Sequence, residues 1–477
     1  MCPAIDPSQG LPVYVQLKTL LLQGIIDGVY GPEGRLPTEQ ELCSLYNISR
    51  TPVNRALSEL AEEGVVLRRR RHGSFVNPDW VPPHGSRREV RVIVPEGSWE
   101  ALLREAAPPD ITLDVVQVGL SDLRQALVRT VAEGQGPDLA VLDSVWVHEF
   151  ASSGFLTTLE ELDAEWVRNE YDQDFVEPFR SANRFDGQLV AVQAEADVAG
   201  LWYRRDDLVA VGHEPPQTWD ELAALGRALA ERGHAVPLTL PGGSRAGETA
   251  TYCLLSLLAS NGATVLGHDV VTLDTAATTE CLTFLRQLLD EGIIPAEVVT
   301  YERHHPIQQL AHGKACLAFG GSYDAPALGS ASGLTTEEVL DHFGFIAMPA
   351  GPRGNSAALA GGMVYGIFRQ ASSPQLARRV LRAVTSVEAM ERMSQSTWQI
   401  APRRTALDQA AGESQFLKVT GAILEHAVVR PSTPPYARVS AQLHAMLEAV
   451  LAGRLRPSDA STRAAEMIGA ITGLPLV

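Results

Sequence analysis

Four consecutive arginines, Arg68 to Arg71, stand inside the string VVLRRRRHGSFV, and a polar group (Arg50, Thr51, Asn54, Arg55 and Ser58) recurs at helical spacing shortly before it. Such side chains contact phosphates and base edges: in the major groove Arg favours guanine and Asn favours adenine, each through paired hydrogen bonds. This is the chemistry of reading DNA. Bond-breaking chemistry finds no comparable anchor, because no GxSxG, HExxH or GxxxxGK[ST] string occurs. His304 and His305 are adjacent and so point apart, a poor geometry for one metal, and the carboxylates of LEELDAEW fall on a helix surface. The five cysteines are scattered without a CxxC pair, which suits a reducing compartment and argues against a disulfide framework or zinc ribbon. No catalytic residue, metal or cofactor is expected.

The elements that must carry the DNA-reading residues follow from periodicity. Val13, Leu17, Leu20, Leu21 and Ile25 fall on one stripe of a helix from about Tyr14 to Asp27. Thr38 and Glu41 form a T-x-x-E capping box that opens a second helix, through Leu42 and Leu45 to a turn at Asn47. A third helix is expected to start near Thr51 with Pro52 at its first position and to end at Gly64. Its buried face is Val53, Leu57 and Leu60, which leaves the polar group on the opposite face. VVLRRRRHGSFV then reads as a strand, a basic turn at His72–Gly73 and a second strand. Helix, tight turn, helix and basic hairpin make a winged helix-turn-helix, with its third helix in the major groove and the hairpin against backbone or minor groove.

The chain has 477 residues, 45% apolar and 20% charged, which suits two or three globular domains and excludes disorder. The net charge of −18 would by itself argue against nucleic acid, but residues 1–88 hold ten Lys/Arg against nine Asp/Glu. A small nucleic-acid module on an acidic body is the expectation. No apolar run is long enough to span a membrane, and MCPAIDPSQGLPVYVQ does not read as an export signal, so a cytoplasmic protein is expected. NPDWVPPHGSRRE reads as a semi-rigid spacer. The expected domains are therefore a head at 1–78, a linker at 79–89 and a body at 90–477. In the body, VRVIV, ITLDVVQV and DLAVLD read as strands alternating with helices at Trp99–Ala107 and LRQALVRTVAEG, the pattern of an α/β fold with parallel strands. Its size calls for two lobes around a cleft.

The string GRLPTEQELCSLYNISRTPVNRALSELAEEGVVLRRRRHGSFV resembles the DNA-binding domain of the GntR family of bacterial transcription regulators. The resemblance implies operator contacts at Arg50 and Thr51 and a wing tip at His72–Gly73. It extends the expected DNA-binding set to Arg35, Thr38, Gln40, Asn54, Arg55 and Arg70. The family often has Arg where this chain has Gln40 and Asn54, so a shifted operator preference is expected, with an adenine under Asn54.

The body resembles the extracellular solute-binding proteins of sugar ABC importers, of the maltose-binding type. The resemblance rests on several segments in order: GPDLAVLDSVWVHEFASSGFLTTLEEL, FDGQLVAVQAEADVAGLWYRRDDLVAVGHEPPQTWDELAAL, AHGKACLAFGGSYDAPAL, FGFIAMPAGPRGNSAALAGGMVYGIF, MSQSTWQIAPRRTAL and RPSTPPYARVSAQLHAMLEAVLAGRLRPSDA. It implies a two-lobed, periplasmic-binding-protein-like (Venus-flytrap) domain in a multidomain chain. It implies a sugar gripped by aromatic faces and polar groups, with Glu96, Trp99, Asp143, Trp146, Asp197, Trp202, Tyr323, Gly361, Gly362 and Arg403 as candidates. For Asp143, Trp146 and Trp202, a helix cap or a core tryptophan fits the sequence equally well. Gly361–Gly362 fits close backbone approach to a ligand and also a plain turn.

These readings point to a ligand-responsive repressor, a homodimer that binds operator DNA through its heads and a sugar or oligosaccharide in its body. Two alternatives stand beside it. Some GntR-type regulators carry an aminotransferase-like domain with pyridoxal phosphate, which needs a Schiff-base lysine, and this chain has only Lys18, Lys314 and Lys418. A ligand-independent architectural DNA binder is the other.

Overall fold

The computed structural model describes residues 5, 12–26, 29–30, 34–69, 72–80 and 88–477. The chain folds as two units: residues 1–141 with 150–157 and 366–384, and residues 142–149 with 158–365 and 385–477. The body is thus distributed over both units, whereas its sequence reads as one continuous stretch.

The head is built from α1 (Val13–Ile26), α2 (Glu39–Tyr46), α3 (Arg50–Glu62) and the antiparallel hairpin of β1 (Val66–Arg69) and β2 (Gly73–Val76). Leu17, Leu21, Leu42, Val53, Leu57 and Leu60 close a core of their own, each leucine contributing about 1.5–3 kcal/mol relative to exposure. The expected capping box is present: Thr38 Oγ1 accepts the Glu41 amide at 3.2 Å, and the Thr38 amide donates to Glu41 Oε2 at 2.7 Å. Two details differ from expectation. Leu45 points outward, 55% exposed, and α3 starts at Arg50 behind Ser49. Pro52 therefore lies third in the helix, still within the first turn where its missing N–H has no partner to lose.

In the first unit's α/β part, β3 (Glu89–Pro95) pairs in parallel with β4 (Thr112–Val118) and with β5 (Leu139–Asp143). Helices α4 (Trp99–Ala106) and α5 (Leu120–Ala132) alternate with them, and α5 buries Leu123, Leu127 and Val131 at four-residue spacing. Buried Asp138 accepts from the Arg91 amide at 2.7 Å and from the amide and hydroxyl of Ser372 at 2.6 and 2.9 Å, so its charge is compensated by donors.

The second unit contains the hairpin β6 (Arg184–Phe185) and β7 (Gln188–Leu189), then β8 (Val192–Gln193) and the long β9 (Asp197–Arg204). Its sheet runs β10 (Val236–Thr239), β11 (Ala315–Gly321), β9, β13 (Leu359–Gly361) and β15 (Val428–Val429), with β12 (Phe343–Ile346) also paired to β9. The strand β14 (Met363–Ile367) pairs antiparallel with β8. Strand β9 reads DVAGLWYR and is buried from Val198 to Tyr203, as a strand covered on both faces must be. Gly200 is required there, because a Cβ would collide with the Ile346 carbonyl oxygen of the partner strand.

Candidate functional site

On the head, the first turn of α2 and the outer face of α3 meet at one carboxylate. Glu39 accepts from Arg50 Nε at 2.9 Å, Asn54 Nδ2 at 3.1 Å and Arg68 Nη2 at 2.6 Å. Arg68 also donates to the Ser58 hydroxyl at 2.9 Å, tying the wing to α3. Gln40, Thr51 and His72 are exposed, and Arg35 is exposed beside the wing, where its backbone bridges Phe75. Gly73 turns the wing with φ +108°. Arg55 is placed differently from expectation: its guanidinium lies 3.6 Å over the Tyr14 ring, donates to the Tyr14 hydroxyl and pairs with Glu59, so it braces α1 against α3. Arg70, and Arg71 beside it, lie outside the described residues.

In the second unit, a buried cation gathers acids around it. The Arg430 side chain is 13% exposed; its Nε is ion-paired with Glu248 Oε1 at 2.9 Å, and its Nη1 donates to the Ser144 hydroxyl at 3.3 Å. Glu248 opens the helix Glu248–Ser260 and also accepts from the hydroxyls of Tyr436 at 2.8 Å and Ser440 at 2.5 Å. The Arg430 guanidinium lies 4.5 Å over the Tyr252 ring, and the Tyr252 hydroxyl donates to Asp197. Gly361 is registered opposite Asp197 across β13 and β9. A Cβ at Gly361 would sit 2.8 Å from Arg430 Nη1, 3.0 Å from Asp197 Oδ1 and 3.1 Å from the Tyr252 hydroxyl, so only glycine leaves these groups room. Gly362 has φ +125° and its Cβ would collide with the Glu195 carbonyl oxygen, which forces glycine there as well.

Burial dominates the electrostatics. Glu195 is pushed up to about 8 by burial and by the charge of Asp197, and among the described residues its carboxylate accepts no hydrogen bond. Burial also raises Asp197, against the Tyr252 hydrogen bond and the Arg430 charge, and raises Glu248 against Arg430. Asp324 is raised to about 7 by burial, opposed by the Gly321 amide that it accepts at 2.9 Å and by Arg303. Asp143 adds negative charge felt by Arg430, while its own Oδ1 caps the turn Ser144–Trp146 by accepting the Val145 amide at 3.1 Å. The Tyr323 ring lies 6.2 Å from Tyr252, with the Arg303 guanidinium 5.3 Å over its face. The arrangement offers unfilled carboxylate acceptors, the part-exposed Tyr323 ring and one clamped cation, which suits a neutral ligand rich in hydroxyl donors.

Of the ligand residues expected from sequence, the structure brings Asp143, Asp197, Tyr323, Gly361 and Gly362 into this neighbourhood, with Trp146 ending the turn that carries Ser144. Two others are committed elsewhere. Trp202 is fully buried, its indole N–H donating to the Gly321 carbonyl at 2.9 Å and its ring packed on Phe345 and Phe416, so it has no face to offer a ligand. Arg403 is buried and held by Asp174 at 2.6 Å, Glu170 at 3.4 Å and the Thr385 carbonyl, a structural clamp. Glu96 and Trp99 belong to the first unit, where Glu96 is exposed and Trp99 starts α4 with its ring buried. Sequence reasoning missed Glu195, Tyr252, Glu248, Asp324, Arg430 and Tyr436. Glu195 lies two residues from Asp197 and Asp324 follows Tyr323, so period-two spacing and adjacency carried a signal; Arg430 and Glu248 meet only through the tertiary fold.

The family of bacterial extracellular solute-binding proteins matches residues 94–391, and that of bacterial regulatory proteins of the gntR family matches residues 13–76. A putative binding protein of Brucella abortus is 28% identical over 256 residues, 52% of this chain and 58% of its own length. The chain thus spans little more than half of that relative. An uncharacterized HTH-type transcriptional regulator of Bacillus subtilis is 48% identical over 72 residues, 15% of this chain and 30% of its own. A probable fructoselysine utilization operon transcriptional repressor of Escherichia coli is 41% identical over 64 residues, 13% of this chain and 26% of its own. Among solved structures, an ABC transporter solute-binding protein from Thermotoga lettingae bound with α-D-tagatose superposes with a TM-score of 0.69 at 20% identity, covering 81% of this chain and 100% of that one.

Proposed function

The chain belongs to the bacterial extracellular solute-binding protein family and carries a GntR-family DNA-binding domain ahead of it, and on that premise we propose that it is a ligand-responsive transcription regulator. The observation that carries the proposal is the pairing of a Glu39-centred arginine face on a winged helix with a buried Arg430–Glu248–Asp197 cluster around Gly361. In this reading a sugar or oligosaccharide donates its hydroxyls to Glu195 and Asp197 and stacks on Tyr323. Operator DNA takes Arg50, Thr51 and Asn54 in the major groove, with Gln40, Arg35 and the wing at His72–Gly73 alongside. The protein acts as a homodimeric repressor in the cytoplasm, where operators are, and the sugar relieves repression. Domain bounds of 1–78 for the head, 79–89 for the linker and 90–477 for the body accompany the proposal.

The ligand changes operator affinity only as far as it distinguishes two conformers of the chain, a coupling of typically ~1–3 kcal/mol. We read the protein as a non-enzyme. Lys314 and Lys418 are exposed and Lys18 pairs with Glu59 and Glu63 on the head, so none sits in the desolvated pocket that a Schiff-base lysine needs. The test is thermal shift against a panel of mono- and oligosaccharides, followed by operator affinity with and without the hit. Saturation at ~100 times the dissociation constant stabilises a two-state fold by ~2.7 kcal/mol. A hit that Glu195→Ala abolishes, and that weakens operator binding, is the expected result. A panel with no hit would overturn the sugar reading, and a hit without effect on DNA would overturn the regulatory one.

A further inference from the structure

At the other end of β9 and β11 from the Arg430 cluster, three different side chains converge. Asp207 lies in the helix Arg205–Val211 that follows β9. His234 stands in the turn two residues ahead of Val236, where β10 begins, and β10 pairs with β11 through Val236 and Ala315. Cys316 is the second residue of β11 and is buried, while Asp207 and His234 are part-buried. A carboxylate oxygen of Asp207, a ring nitrogen of His234 and the Cys316 sulfur all lie within 4.8 Å of one another, and among the described residues this is the only such group of three. Around a tetrahedral zinc ion with bonds of ~2.0–2.3 Å, ligand atoms stand roughly 3.3–3.8 Å apart, so small side-chain adjustments would bring these three to coordinating distance.

We infer that Asp207, His234 and Cys316 form a binding site for a zinc-like divalent cation. The donor set selects the metal class: thiolate and imidazole favour zinc over magnesium or calcium, which want oxygen alone. The surroundings fit as well. Arg204 Nε lies 3.3 Å from Asp207 Oδ2, which fixes the orientation of the carboxylate, and Asp207 already shares a side-chain hydrogen bond with Cys316. Arg204 is itself held in place, donating to the Leu310 carbonyl at 3.2 Å with its guanidinium 5.3 Å over the Phe343 ring. Binding releases the thiol proton to solvent as the sulfur–metal bond forms, and three protein ligands leave a fourth position to water. The site joins a helix, a turn and a strand of one unit, so the ion acts as a clasp at that edge of the sheet. It revises the expectation from sequence that the chain has no metal site; residues 207, 234 and 316 are too far apart in the chain to read as a motif.

The full chain, stripped with chelator and titrated with Co²⁺ as a spectroscopic probe, tests the site. One equivalent should bind with a thiolate-to-cobalt charge-transfer band and tetrahedral visible bands, and Zn²⁺ should displace it and raise the melting temperature. Cys316→Ser should abolish the charge-transfer band. His234→Gln, a part-buried change that leaves the core intact, should weaken binding at least tenfold, while Cys43→Ser should leave both signals unchanged. The proposal is overturned by no stoichiometric binding to the wild-type chain. It is equally overturned by cobalt spectra that survive both Cys316→Ser and His234→Gln. Because the readout is metal uptake, the outcome does not depend on whether the chain binds sugar or DNA.

Discussion

The head and the body each gather several polar and charged partners around one central ion, with the signs of the ions reversed. On the head an acid, Glu39, is ringed by Arg50, Asn54 and Arg68; in the body a cation, Arg430, is ringed by Glu248, Asp197 and Asp143. The head network is open to solvent, with Arg50 81% exposed, whereas Arg430 is 13% exposed. Exposure decides what each can do. Exposed pairs are worth ~0–1 kcal/mol and exchange partners readily, so phosphates can take the arginines from Glu39. A buried ion stripped of its partner is costly, so the body's network fixes a geometry and leaves only a few acceptor positions unfilled.

The sharpest way to break the contrast is Arg430→Met, which leaves Glu248 and Asp197 buried without their cation. It should destabilise the fold by about 3–5 kcal/mol, read from the urea midpoint, and the double change Arg430→Met with Glu248→Gln should recover part of that loss. A mild effect below ~1 kcal/mol would place Arg430 with the exposed pairs.

Glu195 sharpens the contrast through pH. Its folded value of about 8 lies above an ordinary glutamate, so the unfolded chain ionises first. Its contribution to stability is full below pH ~4.5, declines as pH rises, and levels off above about 8, because the raised group prefers its proton in the folded state. Glu195→Gln should flatten that part of the pH–stability profile, and an unchanged slope would show that Glu195 ionises freely. The carboxylates that also shape this window are Asp197, Glu248 and Asp324, raised by burial as well and left in place by the substitution.

At the head, Asn54→Arg should turn selection from adenine to guanine at one operator position by ~1–3 kcal/mol, measured by selection from a random library. A wild-type consensus already rich in guanine there would remove the adenine assignment. The smallest change in stability, within ~1 kcal/mol, is expected for Glu39→Gln. Its effect should appear instead in DNA binding, with tighter non-specific association and a salt dependence steeper by about one to two units of slope as arginines freed from Glu39 meet phosphates. Equal slopes for both proteins would mean that Glu39 holds nothing back.

The head is legible almost entirely from local signals: the Thr38–Glu41 box, the Leu17–Leu21 stripe and the basic turn are each set by neighbours within a few residues. The body's strand–helix order was legible for the same reason, since β3, β4 and β5 alternate with α4 and α5 as the periodicity requires. The Arg430 cluster was only half legible. Asp197, Tyr323 and Gly361 were reachable through resemblance, but Arg430 meets Ser144 across 286 positions of chain, and no periodicity encodes such a meeting. Trp202 shows the converse limit: a large aromatic in a strand that resembles a sugar-binding segment looks like a stacking platform until packing against Phe345 and Phe416 buries it completely.

The division of the body over two units has a consequence for how the molecule is made. Neither unit is complete until the ribosome has passed residue 384, whereas the head's core is drawn from residues before 81. At ~5–20 residues per second, the roughly 300 intervening residues take about 15–60 s to emerge. During that interval every residue of the head's core is available while neither unit is complete, so the head can close its core well before the body closes its own.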